Sequence, residues 1–327
     1  MSTSKREQPL ISVIMSVYNE PRQWLTDSVE SILSQTYKEF EFLIVIDNPE
    51  NLDVISYLES VAKSDERVKL IFNESNIGLI ASLNKLLSKT KGEFIARMDA
   101  DDIAYPERLE KQLNYLKKHN LDLIGANAEF FKDDNTEPFY TTDKLITHKY
   151  LVALLKHGVS GIIHPTFFAR AEVYEKLNGY SNALHAEDME FIARAIANDF
   201  KVGNTSDVLL KYRYNDQSIT KSNAFVVYKT TLYIKEVFNN WLKTGVYSFG
   251  GDYLEGLSLL EEEKNNFMKK QVLLGETRKA ITNKNFLKAF YNIFCCFYYS
   301  SSTFFTIKTN LIIKLFKFLE KRKLGDK

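Results

Sequence analysis

"GEFIARMDADDIAYPERLEKQ" (residues 92–112) runs from an apolar segment through three acids into a proline-led amphipathic segment. Phe94-Ile95-Ala96 reads as a buried strand. "PERLEKQLNYLKKH" reads as a helix with Pro106 in its first turn, where the missing N–H costs nothing. Between them stand Asp99, Asp101 and Asp102. Like charges this close are destabilising unless a positive group sits among them or water screens them. One reading is a hard-cation site, because carboxylate oxygens bind Mg(II) or Mn(II), usually together with substrate phosphate oxygens. The other is a solvated turn that caps the following helix. A place at the carboxyl end of a buried strand favours the cation.

Working outward, the same alternation repeats from Ile11 to about Phe131. "ISVIMSV", "FEFLIVID", "RVKLIFN" and "EFIARMD" are strands. "QWLTDSVESILSQT", with Leu25, Val29, Ile32 and Leu33 at helical spacing, "VISYLESVA" and "IGLIASLNKLLSKT" are the helices between them. This rhythm implies an α/β fold with a parallel sheet covered on both faces. Ligands of such sheets bind beyond the carboxyl ends of the strands. The loops after Val17, Ile46 and Met98 therefore share one rim, which collects Tyr18, Asn19, Glu20, Asp47 and the three acids. These groups suit a nucleotide pocket. No Gly-rich dinucleotide fingerprint and no GxxxxGK[ST] loop occurs.

Beyond Phe131 the rhythm breaks. "KDDNTEP" reads as a turn-rich loop, "KLITHKYLVALLKHG" as a helix, "GIIHPTFFAR" as extended, "AEDMEFIARAIAN" as a helix and "DVLLKYRYN" as a strand. From about Asp216 the chain looks mainly helical. The division expected is a tail (1–9), a domain (10–215, halves 10–131 and 132–215) and a helical, aromatic and basic C-terminal region (216–327).

The chain has 327 residues, 45% of them hydrophobic, enough for a large core, and 43 Lys and Arg against 42 Asp and Glu. A net charge of +1 removes bulk electrostatics as a reason to expect a nucleic-acid partner. The two cysteines, Cys295 and Cys296, are adjacent, which suits a reducing cytosol and no disulfide framework. The first residues lack the pattern of a signal peptide. The uncharged stretch "AFYNIFCCFYYSSSTFFTI", followed by "LIIKLFKFLEKRK", is aromatic and flanked by lysines. A helix lying in the membrane interface is favoured, with a hairpin packed on the protein body and a true span as the alternatives.

"ISVIMSVYNE", "SVESILSQTYKEFEFLIVID", "NIGLIASLNKLL", "GEFIARMDADD" with "PERLEKQ", "HPTFFAR" with "LNGY", and "AEDMEFIAR" occur in the order seen in family 2 glycosyltransferases. The chain resembles that family over about residues 10 to 215. The resemblance implies a GT-A fold (a Rossmann-like, mostly parallel central sheet flanked by helices), a nucleotide-sugar donor and inversion at the anomeric carbon. It puts Ser16 and Asp47 at the nucleoside, and Asp101 and Asp102 at ribose and metal, with Asp99 nearby. Arg97 and Asn84 join the donor-side candidates. Arg213 is a further one, placed either on the diphosphate or in solvent. Asp188 is implied as the base that activates the acceptor hydroxyl, with Glu187 beside it. Without the resemblance, both would equally serve a helix N-terminus. His164 either lines the cleft or is a satisfied core residue.

Two departures stand out. "IDNPEN" keeps one acid where many members have an acidic pair followed by Gly-Ser-Thr-Asp. "YRYND" puts Asn215 where a metal-reaching histidine is common, leaving Asn215 as a candidate further ligand of Mn(II) or Mg(II). The expected activity is metal-dependent transfer of one sugar, from a UDP-type donor, to a glycan or lipid-linked acceptor in surface-polysaccharide synthesis. The expected place is cytoplasmic, on the inner face of the plasma membrane. A sugar-nucleotide nucleotidylyltransferase and a catalytically inactive, membrane-associated nucleotide-binding module are the alternatives.

Overall fold

Strand β1 (Ile11–Val17) is buried at every position but one, as expected of a strand covered on both faces. It is the middle strand of the parallel run β2-β1-β4 in the computed structural model, which describes residues 8–133, 135–215, 222–250, 253 and 261–299. On one side β1 pairs in parallel with β2 (Phe40–Ile46), which pairs in parallel with β3 (Val68–Phe72). On the other side it pairs in parallel with β4 (Phe94–Asp99). Helices α1 (Arg22–Leu33), α2 (Leu52–Ser64) and α3 (Leu79–Leu87) make the crossovers. The order β3-β2-β1-β4 reverses between β1 and β4, and a crevice opens at such a switch point. There Ser16 at the end of β1 stands in register with Asp99 at the end of β4.

Gly92, leading into β4, lies where the chain passes β1 most closely. A Cβ at Gly92 would fall 2.5 Å from the Ser12 backbone nitrogen. Only glycine lets β4 approach β1 in this way.

The second half extends the same sheet with mixed polarity. After the short β5 (Ile103–Ala104) and α4 (Arg108–Lys118) comes β6 (Leu123–Lys132). It pairs in parallel with β9 (Val202–Arg213) and antiparallel with β7 (Asn135–Thr141) and β8 (Phe168–Arg170). Strand β8 bridges to β4 and β5 to β9, both antiparallel. The expectation of a mostly parallel sheet therefore holds, since β1 to β4 and the long β6–β9 pair are parallel and the short β5 and β8, with β7, are antiparallel. "KDDNTEP" is not simply a loop, because β7 pairs with β6 as a hairpin. Pro138 is tolerated there because β7 has a single partner strand. In "GIIHPTFFAR" a 3₁₀ turn (His164–Thr166) precedes β8, so only its last part is a strand. The halves divided near Phe131 share one sheet, since β6 binds both β8 and β9.

Helices α5 (His148–Lys156), α6 (Ala171–Leu177) and α7 (Glu187–Ala197) follow the second half on one face. Two hydrophobic clusters result, one on each side of the sheet. Helix α8 (Ala224–Thr244) buries Ile234 and Phe238 in the cluster that contains α5, α6 and α7. Helices α9 (Glu261–Thr282) and α10 (Phe286–Tyr299) form a hairpin. No described helix is long and apolar enough to cross a membrane. The last part of the aromatic, basic stretch, 300–327, lies outside the described residues.

Candidate active site

The acidic segment is held at three points by two residues. Ser28 Oγ of α1 donates to Asp99 O at 2.8 Å, Arg213 Nε donates to Asp101 O at 2.8 Å, and Arg213 N donates to Asp102 Oδ1 at 2.8 Å. The segment is not the cap of a helix. Strand β5 intervenes, and α4 begins at Arg108 with Glu107 as its N-cap. Asp102 is only 1% exposed, so a solvated turn is also excluded.

Potential ligand oxygens of Asp99, Asp101 and Asp102 lie within 4.8 Å of one another. Burial, then the charges of Asp99 and Glu20, push the Asp101 carboxyl up to about 7. Burial, then Asp101 and Asp99, raise Asp102 well above the usual carboxylate range. Glu20 is raised too, by burial first and by Asp99 in smaller part, although Tyr18 N donates to its Oε2 at 2.8 Å. The fixed positive group among these acids is Arg97, whose Nη2 lies 2.5 Å from Asp99 Oδ1. Burial opposes the Arg97 charge, but Asp99, Glu187 and Asp102 among its neighbours outweigh it and raise its pKa. Asp102 Oδ2 is buried with no partner among the described residues. An all-oxygen, crowded, acidic set with such an atom fits a hard divalent cation.

The other rim residues divide into two kinds. Ser16, half-buried, and Tyr18, 43% exposed, remain accessible at the end of β1. Asn19 instead ties two loops together, its Oδ1 accepting from Asn48 Nδ2 at 2.6 Å and Asn51 Nδ2 at 3.2 Å. Asp47 is buried, accepting from Asn73 Nδ2 (2.7 Å) and Ile77 N (2.9 Å) on one oxygen and from Gly78 N (2.9 Å) on the other. Gly78, at φ +83°, starts α3. The second oxygen of Asp47 takes one N–H here and keeps capacity for another.

Two donor-side expectations change. Arg213 neither lies in solvent nor has a guanidinium free for a diphosphate. Its guanidinium bonds Asp27 (3.0 Å), Asp133 and Asp101 O, and it packs over the rings of Trp24 and Phe131. Burial in a low-dielectric wall demands those partners. Asn84 spends both ends of its amide on Tyr180, accepting from Tyr180 N at 2.8 Å and donating to Tyr180 O at 2.9 Å. It pins the segment after α6 and does not offer its amide to a donor.

Glu187 and Asp188 open α7. Burial raises the Asp188 carboxyl, and Ser160 Oγ lies 3.4 Å from its Oδ2. His164 is 9% exposed and sits between Glu187 and Tyr180, with Nδ1 3.4 Å from Glu187 Oε1 and Nε2 3.0 Å from Tyr180 Oη. Burial, then the Arg97 charge, lower its pKa to about 3, so the ring is neutral near pH 7. A hydrogen on Nδ1 would face Glu187 and leave Nε2 to accept from Tyr180 Oη. His164 is thus a buried polar link to the α7 carboxylates. Asn215 stands half-buried just past the end of β9, two residues beyond Arg213.

Several supporting residues escaped the sequence reading. Arg108 is fully buried and donates to Arg97 O (2.6 Å) and Pro165 O (2.7 Å), with burial lowering its pKa to about 10. Its signal was present: Arg108 and Gln112 share the buried face of α4 with Leu109, Leu113 and Leu116. Tyr180 and Ser28 fall inside the quoted segments "LNGY" and "SVESILSQT", but nothing local marks them or Asp27 for the site, because each reaches it from a distant part of the chain.

Residues 12–177 match the family described as Glycosyl transferase family 2. The putative glycosyltransferase EpsE of Bacillus subtilis (strain 168) is 31% identical over 245 residues, covering 72% of this chain and 86% of its own. The O-antigen biosynthesis glycosyltransferase WbnJ of Escherichia coli is 31% identical over 240 residues, covering 70% and 89%. Among solved structures, S. aureus TarS 1-349 in complex with UDP-GlcNAc superposes with a TM-score of 0.57 at 16% identity, covering 86% of this chain and 88% of that one. Mannosyltransferase PcManGT from Pyrobaculum calidifontis, in complex with GDP-Man and Mn2+, gives 0.53 at 15% identity, covering 74% and 66%.

Proposed function

Because this chain belongs to glycosyl transferase family 2, an enzyme family, we propose that it is an inverting, divalent-metal-dependent transferase of single sugars. The donor is a nucleotide-sugar of the UDP type, and the acceptor a glycan or lipid-linked oligosaccharide of a surface polysaccharide. The observation that carries this reading is the crowded, buried carboxylate set at the β1–β4 switch point, electrostatically linked through Arg97 to the Glu187 end of α7. The O-antigen assignment of WbnJ supports the acceptor class, and the UDP-GlcNAc complex of TarS supports the donor class.

In this reading the unit 10–215 is the transferase domain, with donor and acceptor halves, and 216–327 is an appendage. Asp102, Asp101 and Asp99 would hold Mn(II) or Mg(II), with Asn215 as a further oxygen ligand, and the ion's charge would offset that gathering on the departing diphosphate. Ser16, Tyr18 and Asp47 receive the nucleoside. Arg97 keeps Asp99 oriented. Asp188 accepts the proton of the acceptor hydroxyl as that oxygen attacks the anomeric carbon. The bond to the nucleoside diphosphate breaks on the opposite face and inverts the centre. A raised carboxyl pKa suits a group that must hold a proton after the attack. Glu187, held by His164, positions its neighbour.

The same reading puts the protein on the inner face of the plasma membrane. Phe286, Leu287, Phe290, Tyr291 and Phe294 are each at least 65% exposed on α10, with Lys284 and Lys288 alongside. Such an apolar face beside cations suits an anionic lipid interface.

The test is a donor-hydrolysis and transfer screen over UDP-, dTDP- and GDP-sugars, with and without Mn(II), for the wild type and Asp188→Asn. Asp188→Asn is expected to abolish transfer and retain UDP–Mn(II) binding. Full transfer by that variant would remove Asp188 as the base.

A further inference from the structure

Tyr140, Phe130 and Tyr212 stand directly opposite one another on β7, β6 and β9. Ring centroids are 5.6 Å apart for Phe130 and Tyr140 and 4.8 Å apart for Phe130 and Tyr212. The inner end of this row lies at the candidate active site. The Tyr212 phenol is raised by burial and then by the charges of Asp102, Asp99 and Asp101, and the next residue, Arg213, binds Asp102. The outer end is open, with Tyr140 51% and Phe139 55% exposed. Phe139 meets Tyr214 edge-on at 5.4 Å, and the Lys132 ammonium lies 5.5 Å from the Tyr214 ring centre.

Cross-strand packing accounts for the contacts within the row but not for the outer exposure. Phe139 and Tyr140, adjacent on a strand with one partner, both keep large rings about half exposed. Half-exposed aromatic surface leading away from a reactive centre marks a ligand track when it is continuous with that centre. Its chemistry is mixed, because the phenols add hydroxyls to apolar ring faces. A sugar ring has the matching character, with a C–H face for an aromatic ring and equatorial hydroxyls for phenols and Lys132.

We propose that the Tyr212–Phe130–Tyr140 row, flanked by Phe139 and Tyr214, is the platform on which pyranose rings of the acceptor glycan stack as they approach the site. This rests on the reading of the chain as a transferase acting on glycans and assigns that acceptor a location. Stacking reads the shape of a sugar face more than its substituents, so the platform should take pyranose rings of more than one kind.

The experiment is saturation-transfer NMR on the full chain with cellotriose, maltotriose and chitotriose, in the presence of UDP and Mn(II). Transfer to the ring protons of at least two of the trisaccharides is expected. Tyr140→Ala and Phe139→Ala, both at exposed positions, should each weaken binding about fivefold. Circular dichroism checks that the variants are folded, and Tyr140→Leu provides a milder change should Tyr140→Ala fail to fold. No transfer to any trisaccharide, or undiminished transfer in folded variants, overturns the proposal. So does sedimentation showing that Tyr140→Ala splits a dimer, because the rings would then form a subunit contact. Calorimetric titration of the wild type with UDP and Mn(II) reports separately on the donor reading. Trisaccharide binding without UDP binding would retain the platform and remove that reading.

Discussion

Asp101 carries a carboxyl pushed up to about 7 because it is buried beside Asp99 and Glu20, and that shift has two consequences of opposite sense. In the metal-free protein the folded state holds a proton that the unfolded chain releases near pH 4. The stability contributed by this group is therefore fully present below about pH 4 and lost as pH rises through about 7. A cation needs the ionised form, so Mn(II) affinity should rise by about tenfold from pH 6 to pH 8, with proton release on binding. Calorimetry in buffers of different ionisation enthalpy measures both, and a pH-independent affinity would remove Asp101 from the ligand set. In the same titrations Asp102→Ala should weaken Mn(II)-dependent UDP binding. Asn84 provides the contrasting case. Asn84→Ala loses two hydrogen bonds to Tyr180 and should lower stability by about 1–3 kcal/mol, seen as an earlier urea midpoint. A loss of nucleotide affinity with unchanged stability would return Asn84 to the donor site.

At the scale of elements, α10 is the clearest unfinished surface. It packs on α9, where Cys296 Sγ lies 4.0 Å from Lys270 O, while its other face exposes aromatic rings. A chain ending at Asn283 should lose sedimentation with anionic liposomes that the full chain shows. Equal sedimentation of both, or none by the full chain, would remove the interfacial role. Element β7 teaches the opposite lesson. Its sequence, with Asn and Pro close together after two aspartates, suggests a loop, but pairing with β6 makes it a strand. Propensity is a weak prior for strands, because a neighbouring edge supplies the missing hydrogen bonds.

For the whole molecule, the site unites β1, β4, α1, α7 and β9, so ligands that bridge these elements should stabilise the fold as a unit. At about 100 times Kd, a ligand adds about 2.7 kcal/mol by mass action. UDP with Mn(II) should then raise Tm by about 4 °C in differential scanning calorimetry. No such rise is expected for Asp102→Ala. A shift of equal size in that variant would place the ligand elsewhere.

Much of this was legible in the sequence because it depends on local periodicity. Alternating buried strands and amphipathic helices determined the α/β class, the rim formed by the carboxyl ends of β1, β2 and β4, and the place of "RMDADD" at the end of β4. The spacing of "AEDMEF" determined that Glu187 and Asp188 open a helix. Only the tertiary structure decided that Arg97 pairs with Asp99 and that Arg213, 111 positions after Asp102, binds it through its backbone. The same holds for Asn84 gripping Tyr180 and for three strands aligning an aromatic row. Period and propensity act over neighbouring residues along the chain. The partner of a buried charge is instead chosen by the folded sheet, which brings distant residues together in a medium where an unpaired charge is costly.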